Sequence, residues 1–461
     1  MAEVVAEKRR LGVPPIRGIS AGDSAPYGWA PLVVLFVVGL VDRVEASLLS
    51  GMLPLLQREW AISDTAAGSI PTAAALAGAV VSLPAGYLAD RYSRTRVIAI
   101  VVFCWGLATL GSGLAAGFGM FYVMRVLLAT AEHIDNPASG SLLADYYPPL
   151  TRAKAYGLVR ITTYLGGVGT VLGGVLGQAF GWRVTFMIMA VPGVLTALVV
   201  WWLREPARGF LDQVVARGSG EPTPVPDASP RGEVAGMTAR LTGGLRFGTQ
   251  FREVLRIPTL TMVCAGLMAL AFGLTGIAFW IPSLIVRRYG VDPGAAASLS
   301  GLISIAGVVG GTLTGAWLGR RTHTTRKGGR LLVGGVGITL GALVQALAIS
   351  ASTLAMFAVL VLASSFLSAT AIPNMTASLA DVVGAASRGL AFALLQLCLT
   401  AGAAFGPLVV GITSDRTGSL ATAMYALVVP MVLGGLLCLA ARGSFERDAR
   451  RVLGAAGGLH D

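Results

Sequence analysis

Charge is scarce in this chain. Asp, Glu, Lys and Arg make up only 13% of its residues, about half the share a soluble chain carries. Lysine is nearly absent: Lys8, Lys154 and Lys327 are the complete set, and none sits in the GK[ST] context of a phosphate-binding loop. That excludes a pump driven by ATP through such a loop. The three histidines are scattered. Each of the four cysteines (Cys104, Cys264, Cys398, Cys438) lies in an apolar run, with no CxxC or Cys/His spacing. Such a set supports no metal site, disulfide framework or nucleophile–base arrangement, so neither an enzyme nor a cofactor is expected. What fills the chain is apolar: 54% hydrophobic residues and a mean hydropathy of +0.73. This is the composition of a polytopic membrane protein, whose obligatory partner is the bilayer. The net charge of +12 is explained by orientation in the membrane and calls for no nucleic acid.

Twelve apolar segments of bilayer length follow one another near 30–56, 67–88, 97–116, 119–143, 155–179 and 184–203, then 258–286, 295–318, 331–350, 352–379, 389–412 and 420–441. The expected organisation is a tail at 1–29, a six-helix bundle at 30–203, a linker at 204–257, a second bundle at 258–442 and a tail at 443–461. The first twenty residues are polar and are expected to form a cytoplasmic tail, since they lack the apolar core of a signal peptide. The Gly-, Pro- and Ser-rich centre of the linker predicts a connector without its own core, and Leu241 to Leu255 predicts an interfacial basic helix. With the N-terminus inside, only Arg58, Arg183, Arg287, Arg288 and Arg416 fall outside. Arg43, Arg125 and Arg160 fall within spans, and the rest of the 35 basic residues fall on the cytoplasmic side. The positive-inside rule therefore places both termini and the linker in the cytoplasm, in a cell or inner membrane.

The halves echo each other. Ala144-Asp145, Thr151-Arg152 and Ala155 follow the fourth span; Ala380-Asp381, Ser387-Arg388 and Ala391 follow the tenth at identical spacing. Gly86 to Arg91 after the second span is matched by Gly315 to Arg320 after the eighth. Related six-helix halves are the organisation of alternating-access transporters. Two spans break the apolar pattern. The first carries Asp42, Arg43 and Glu45; the fourth carries Arg125, Glu132, His133, Asp135 and Asn136. Ionisable groups at membrane depth are costly and mark polar pathways or pairs. Asp42 and Glu45 share a helix face, as do Arg125, Glu132, Asp135 and Asn136, while His133 points about a quarter turn away. His133 has a proton-relay reading and a helix-packing reading. Asp135 and Asn136 precede Pro137 and either line a cavity or satisfy a kink. Arg125 and Arg160 are expected to snorkel. Glycine clusters in the fifth span (Gly166 to Gly177) and the eleventh (Gly402, Gly406, Gly411) predict close helix approach, and Pro407 predicts a kink.

The stretch GYLADRYSRTRV (Gly86 to Val97) resembles the signature between helices two and three of the major facilitator superfamily. The resemblance implies an all-α membrane fold of twelve helices in two pseudo-symmetric six-helix bundles. It makes Gly86, Asp90, Arg91 and Arg94 part of a cytoplasmic gate, to which the repeated turns add Asp145, Arg152, Asp381 and Arg388. Asp42-Arg43, Arg125 with Glu132, Arg204-Glu205-Pro206 and Ala278-Phe279-Trp280-Ile281-Pro282 are most similar to the spinster family of lysolipid- and sphingolipid-type transporters. That family's His and Asp late in helix eleven stand here as Leu399 and Ala403. Because helices one and four are neighbours in the superfamily, the resemblance brings Asp42 and Arg43 near Glu132. They form either a proton-coupling cluster or a static ion pair. Glu45, His133, Asp135, Asn136 and Trp280 are secondary cavity candidates, Trp280 alternatively an interfacial anchor. The function implied is proton-coupled secondary transport of a lipid-like amphiphile such as a lysophospholipid, by a monomer. A small organic anion is the alternative, because an organic-anion symporter family shares a similar Asp-Arg and glutamate. A non-transporting receptor or scaffold is the third reading.

Overall fold

The computed structural model describes residues 24–209, 211, 250–384 and 387–457, leaving aside the helix side chains at 83, 86, 88–90, 136–137 and 453–457. Most of the N-terminal tail and the linker centre therefore lie outside the described residues. So do 241–249 of the expected interfacial helix; 250–255 is helical.

Among the described residues the chain is helical throughout. The first half contains α1 (Ala30–Trp60), α2 (Asp64–Arg91), α3 (Arg94–Gly113) and α4 (Phe118–Tyr146), followed by α5 (Pro149–Arg160), α6 (Gly167–Phe180) and α7 (Trp182–Trp201). The second half contains α8 (Pro258–Tyr289), α9 (Pro293–Thr325), α10 (Gly329–Ser350), α11 (Leu354–Ala369) and α12 (Ala371–Asp381). It ends with α13 (Arg388–Thr417), α14 (Leu420–Ala440) and α15 (Arg442–Gly457). Among the described residues, ten segments are long and apolar enough to cross a membrane, counting α5–α6 and α11–α12 as one each. The other two, α1 and α4, are 31 and 29 residues long, and they are the two that carry the polar residues. The fold is the expected all-α membrane one, and these ten segments together with α1 and α4 are consistent with twelve spans.

The fifth and tenth spans depart from single continuous helices. Ile161–Leu165 is a 3-10 turn, in which the Thr162 hydroxyl donates to the carbonyl of Val159 (2.8 Å). At the second break the Thr370 hydroxyl donates to Leu367 (2.6 Å). Threonine offers the backbone a local partner that competes with the helical ladder, and Gly166 and Gly167 weaken the helix further.

The chain forms two compact units: 1–49 with 73–226, and 50–72 with 227–461. In the first, Gly169 and Gly173 of α6 lie against the backbone of Val44 and Leu48 in α1, where a Cβ would collide. In the second, Gly402 and Gly406 of α13 lie against Met268 and Phe272 of α8 in the same way. Small residues let backbones meet where lipid supplies no hydrophobic drive between helices. Two carbonyls freed by helix prolines find partners. Pro282 frees the carbonyl of Ala278, which accepts from the Ser50 hydroxyl (3.1 Å). Pro407 frees that of Ala403, which accepts from Thr275 (3.0 Å). In hydrocarbon such groups must find partners inside the protein.

Candidate transport site

Asp42, near the middle of α1, is almost buried. Its carboxylate pairs with the neighbouring Arg43 guanidinium at 2.6 Å, and the Arg43 side chain keeps 38% of its surface accessible. One turn on, Glu45 is fully buried and faces α3. Its Oε2 accepts from the Trp105 indole N–H and from the Thr109 hydroxyl (3.1 Å). Glu45 thereby ties α1 to α3.

On α4, Arg125 does not snorkel. It is 5% exposed, donates to the Glu45 backbone carbonyl at 3.3 Å, and lies over the Phe186 ring at 5.5 Å. The guanidinium turns inward because a carbonyl and an aromatic face from α1 and α7 receive it. Glu132 lies within electrostatic reach of Asp42, Arg43, Arg125 and Glu45. Asp135 interacts with Asp42 and accepts from the Ser139 hydroxyl at 2.8 Å. Spans one and four thus bring four carboxylates together around two guanidiniums.

His133 stands apart from this set. Its Nδ1 bonds the Ala129 carbonyl at 2.8 Å and its ring fills the space left by Gly78 of α2, which is the helix-packing arrangement. The Asn136 side chain lies outside the described residues. Trp280 is fully buried against α13, donating its indole N–H to the Pro407 carbonyl at 2.9 Å.

At the arginine-rich end of the first unit, Arg94 is wholly buried. It pairs with Asp145 and with Glu205 (3.2 Å), and donates to Ser141 Oγ (3.0 Å) and the Pro206 carbonyl (3.0 Å). Glu205 also accepts from the Arg94 backbone N–H (2.9 Å), the Thr95 hydroxyl (3.0 Å) and the Ser93 hydroxyl. It caps α3, whose own N-cap Ser93 makes no capping bond. Burial raises the Glu205 pKa, but these hydrogen bonds outweigh it and leave the carboxyl below its ordinary value. Arg152 donates to the carbonyls of Ala144 (2.8 Å) and Tyr147 (3.3 Å), closing the end of α4. Arg91 lies on the Tyr87 ring and bonds its hydroxyl. The Gly86 and Asp90 side chains lie outside the described residues. In the second unit Asp381 pairs with Arg330 of α10 at 2.7 Å, and Arg388 is exposed at the start of α13. Sequence reasoning assigned no role to Glu205, Arg330, Trp105 or Thr109. The one available signal was the shared position of Arg94 and Arg330 at the start of the third and ninth spans.

The model of the Major Facilitator Superfamily matches residues 35–343 and 323–455. The chain belongs to that superfamily. A superfamily gallate transporter from Pseudomonas putida is 27% identical over 320 residues, covering 66% of this chain and 68% of that protein. Spinster homolog 1 from Xenopus laevis is 23% identical over 324 residues, covering 67% of this chain and 57% of that protein. Among solved structures, a bacterial homolog of the human lysosomal transporter spinster, inward-facing and unoccupied, superposes with a TM-score of 0.75 at 22% identity. It covers 94% of this chain and 98% of that one. The superfamily fold and the spinster-type likeness are those expected from Asp42-Arg43, Glu132 and the Gly86–Val97 stretch.

Proposed function

We propose that this chain is a proton-coupled secondary active transporter that works by alternating access and moves a lipid-like amphiphile with an acidic headgroup, such as a lysophospholipid. The observation that carries the coupling is the gathering of Asp42, Arg43 and Glu132 from α1 and α4. In this reading a proton added to a Glu132 or Asp42 carboxylate oxygen removes one negative charge from Arg43's surroundings. The guanidinium, part of whose surface is accessible, is then free to receive an anionic group of the substrate. Loss of the proton restores the internal pair and weakens the hold on the substrate. The repeating bundles at 30–203 and 258–442 are the parts that alternate, joined by the 204–257 linker. The buried Arg94 cluster and the half-buried Arg330–Asp381 pair belong to the cytoplasmic gate. The protein acts as a monomer in a cell membrane, with both termini in the cytoplasm.

A second reading, a compact organic anion, is favoured by the likeness to the gallate transporter. Both share the Arg43 anchor and differ in the body of the substrate. Transport into proteoliposomes of a lysophosphatidyl lipid and of a hydroxybenzoate, each with and without a pH gradient, separates them. Gradient-stimulated movement of the lysolipid alone supports the first reading. Movement of the hydroxybenzoate alone replaces it with the second. Movement of neither, together with specific capture of a protein partner, would leave a receptor.

A further inference from the structure

The final helix has two unlike faces. α15 begins directly after α14, the last span, so it lies at the bilayer boundary. Its inner face is locked onto the second unit. Phe445 is 7% exposed and Asp448 only 3%. Asp448 Oδ2 accepts from the backbone N–H (3.3 Å) and hydroxyl (2.8 Å) of Thr259, and Ser444 shares a hydrogen bond with the same hydroxyl (2.7 Å). Asp448 thus caps α8, whose own N-cap Ile257 carries no capping group. This contact fixes the rotation of α15 and decides what its other face presents.

That face is basic and concave. Gly443, Glu446, Arg447, Arg450 and Arg451 line an open cavity of about 530 Å³. Residues three and four apart share a helix face, so the three arginines project together. Gly443 leaves open space where a side chain would otherwise stand. The Arg447 and Arg450 side chains are 57% and 77% exposed, and Lys327 of the α9–α10 turn adds a further cation, 83% exposed. Two acids touch this face through long pairs: Glu446 with Arg450 (3.4 Å) and Lys327 (3.7 Å), and Asp448 Oδ1 with Arg447 (3.4 Å). Pairs of that kind are weak and readily exchanged. Guanidiniums bind phosphate through paired, charge-assisted hydrogen bonds, and a cluster of this density beside a span suits an anionic lipid surface.

We propose that the Arg447–Arg450–Arg451 face of α15, with Lys327, is a docking surface for the phosphate headgroup of an anionic bilayer phospholipid. Two features point to a lipid in place of a soluble anion. The cavity sits at the end of a membrane span, and it is wide and open where a free phosphate would be better held by an enclosed pocket. The occupant holds α15 against the start of α8, and with it the end of the last span. This surface is separate from the Asp42–Arg43–Glu132 site and stands whether or not that site couples to protons.

The test measures retention of phosphatidylglycerol relative to phosphatidylcholine by the purified full-length chain, using native mass spectrometry. The variants are R447Q/R450Q/R451Q and, as a control at an exposed arginine of the first unit, Arg96→Gln. The triple variant should lose about tenfold or more in preference for the anionic lipid, and the control should keep it. R447K/R450K/R451K should retain part of the preference, which guards against a folding defect in the triple variant. Equal lipid preference in the wild type and the Gln variant would overturn the proposal. So would displacement of the lipid by inorganic phosphate at concentrations comparable to the lipid's own, which would make the site one for a soluble anion.

Discussion

The indole N–H of Trp105 donates to the carboxylate of Glu45, and both side chains are buried, at 1% and 0% exposure. This pairing ties α1 to α3 one helical turn from Asp42. Glu45→Ala leaves the Trp105 N–H and the Thr109 hydroxyl without their acceptor, at about 1–3 kcal/mol for each buried group. Glu45→Gln keeps an oxygen in place and should lose much less. Thermal unfolding in detergent should rank the two variants in that order.

Arg94 and Arg330 occupy equivalent positions but very different surroundings. Arg94 is fully buried between Asp145 and Glu205, whereas the Arg330 side chain is 23% exposed and its partner Asp381 35%. Removing one member of a buried pair strands the other charges, so Arg94→Gln should cost about 3–5 kcal/mol. Arg330→Gln should cost about 1 kcal/mol or less. Denaturant midpoints of the two variants check the difference.

Glu205 gives the first unit an acid sensitivity. Its folded-state pKa is depressed by bonds from Ser93, Arg94 and Thr95 despite burial. Its contribution to stability is therefore full above the ordinary glutamate value and is lost as pH falls through the lower folded value. Melting temperature measured from neutral to acid pH should fall less steeply in Glu205→Gln than in the wild type.

The architecture was legible because bilayer physics demands long apolar segments, because Arg91, Asp145 and Asp381 sit in repeated turns, and because Arg94 falls in the Gly86–Val97 stretch. The partners of those turns were not. Arg94 meets Glu205 across 111 residues, and Asp381 meets Arg330 across 51. No local period encodes such pairings. Arg125 reads from its place in α4 as a residue able to reach the headgroups. Its inward turn depends on the Glu45 carbonyl and the Phe186 ring, which come from other helices. Trp280 reads as a cavity or interface residue, and its bond to the Pro407 carbonyl, 127 residues away, has no local signal. Thr162 and Thr370 are ordinary helix residues in sequence, and only the bonds to their own backbone reveal breaks. The grouping of Asp42, Arg43 and Glu132 was approached from the one-turn and seven-residue spacings on separate helices. Bringing those helices together required the family likeness.

The central claim is that Glu132 and Asp42 couple a proton to transport through Arg43. The most direct measurement compares substrate exchange with pH-gradient-driven uptake in proteoliposomes of the wild type, Glu132→Gln and Asp42→Asn. The account predicts that both variants lose stimulation by the gradient while Glu132→Gln still exchanges substrate across the membrane. Full gradient stimulation in both variants would contradict it.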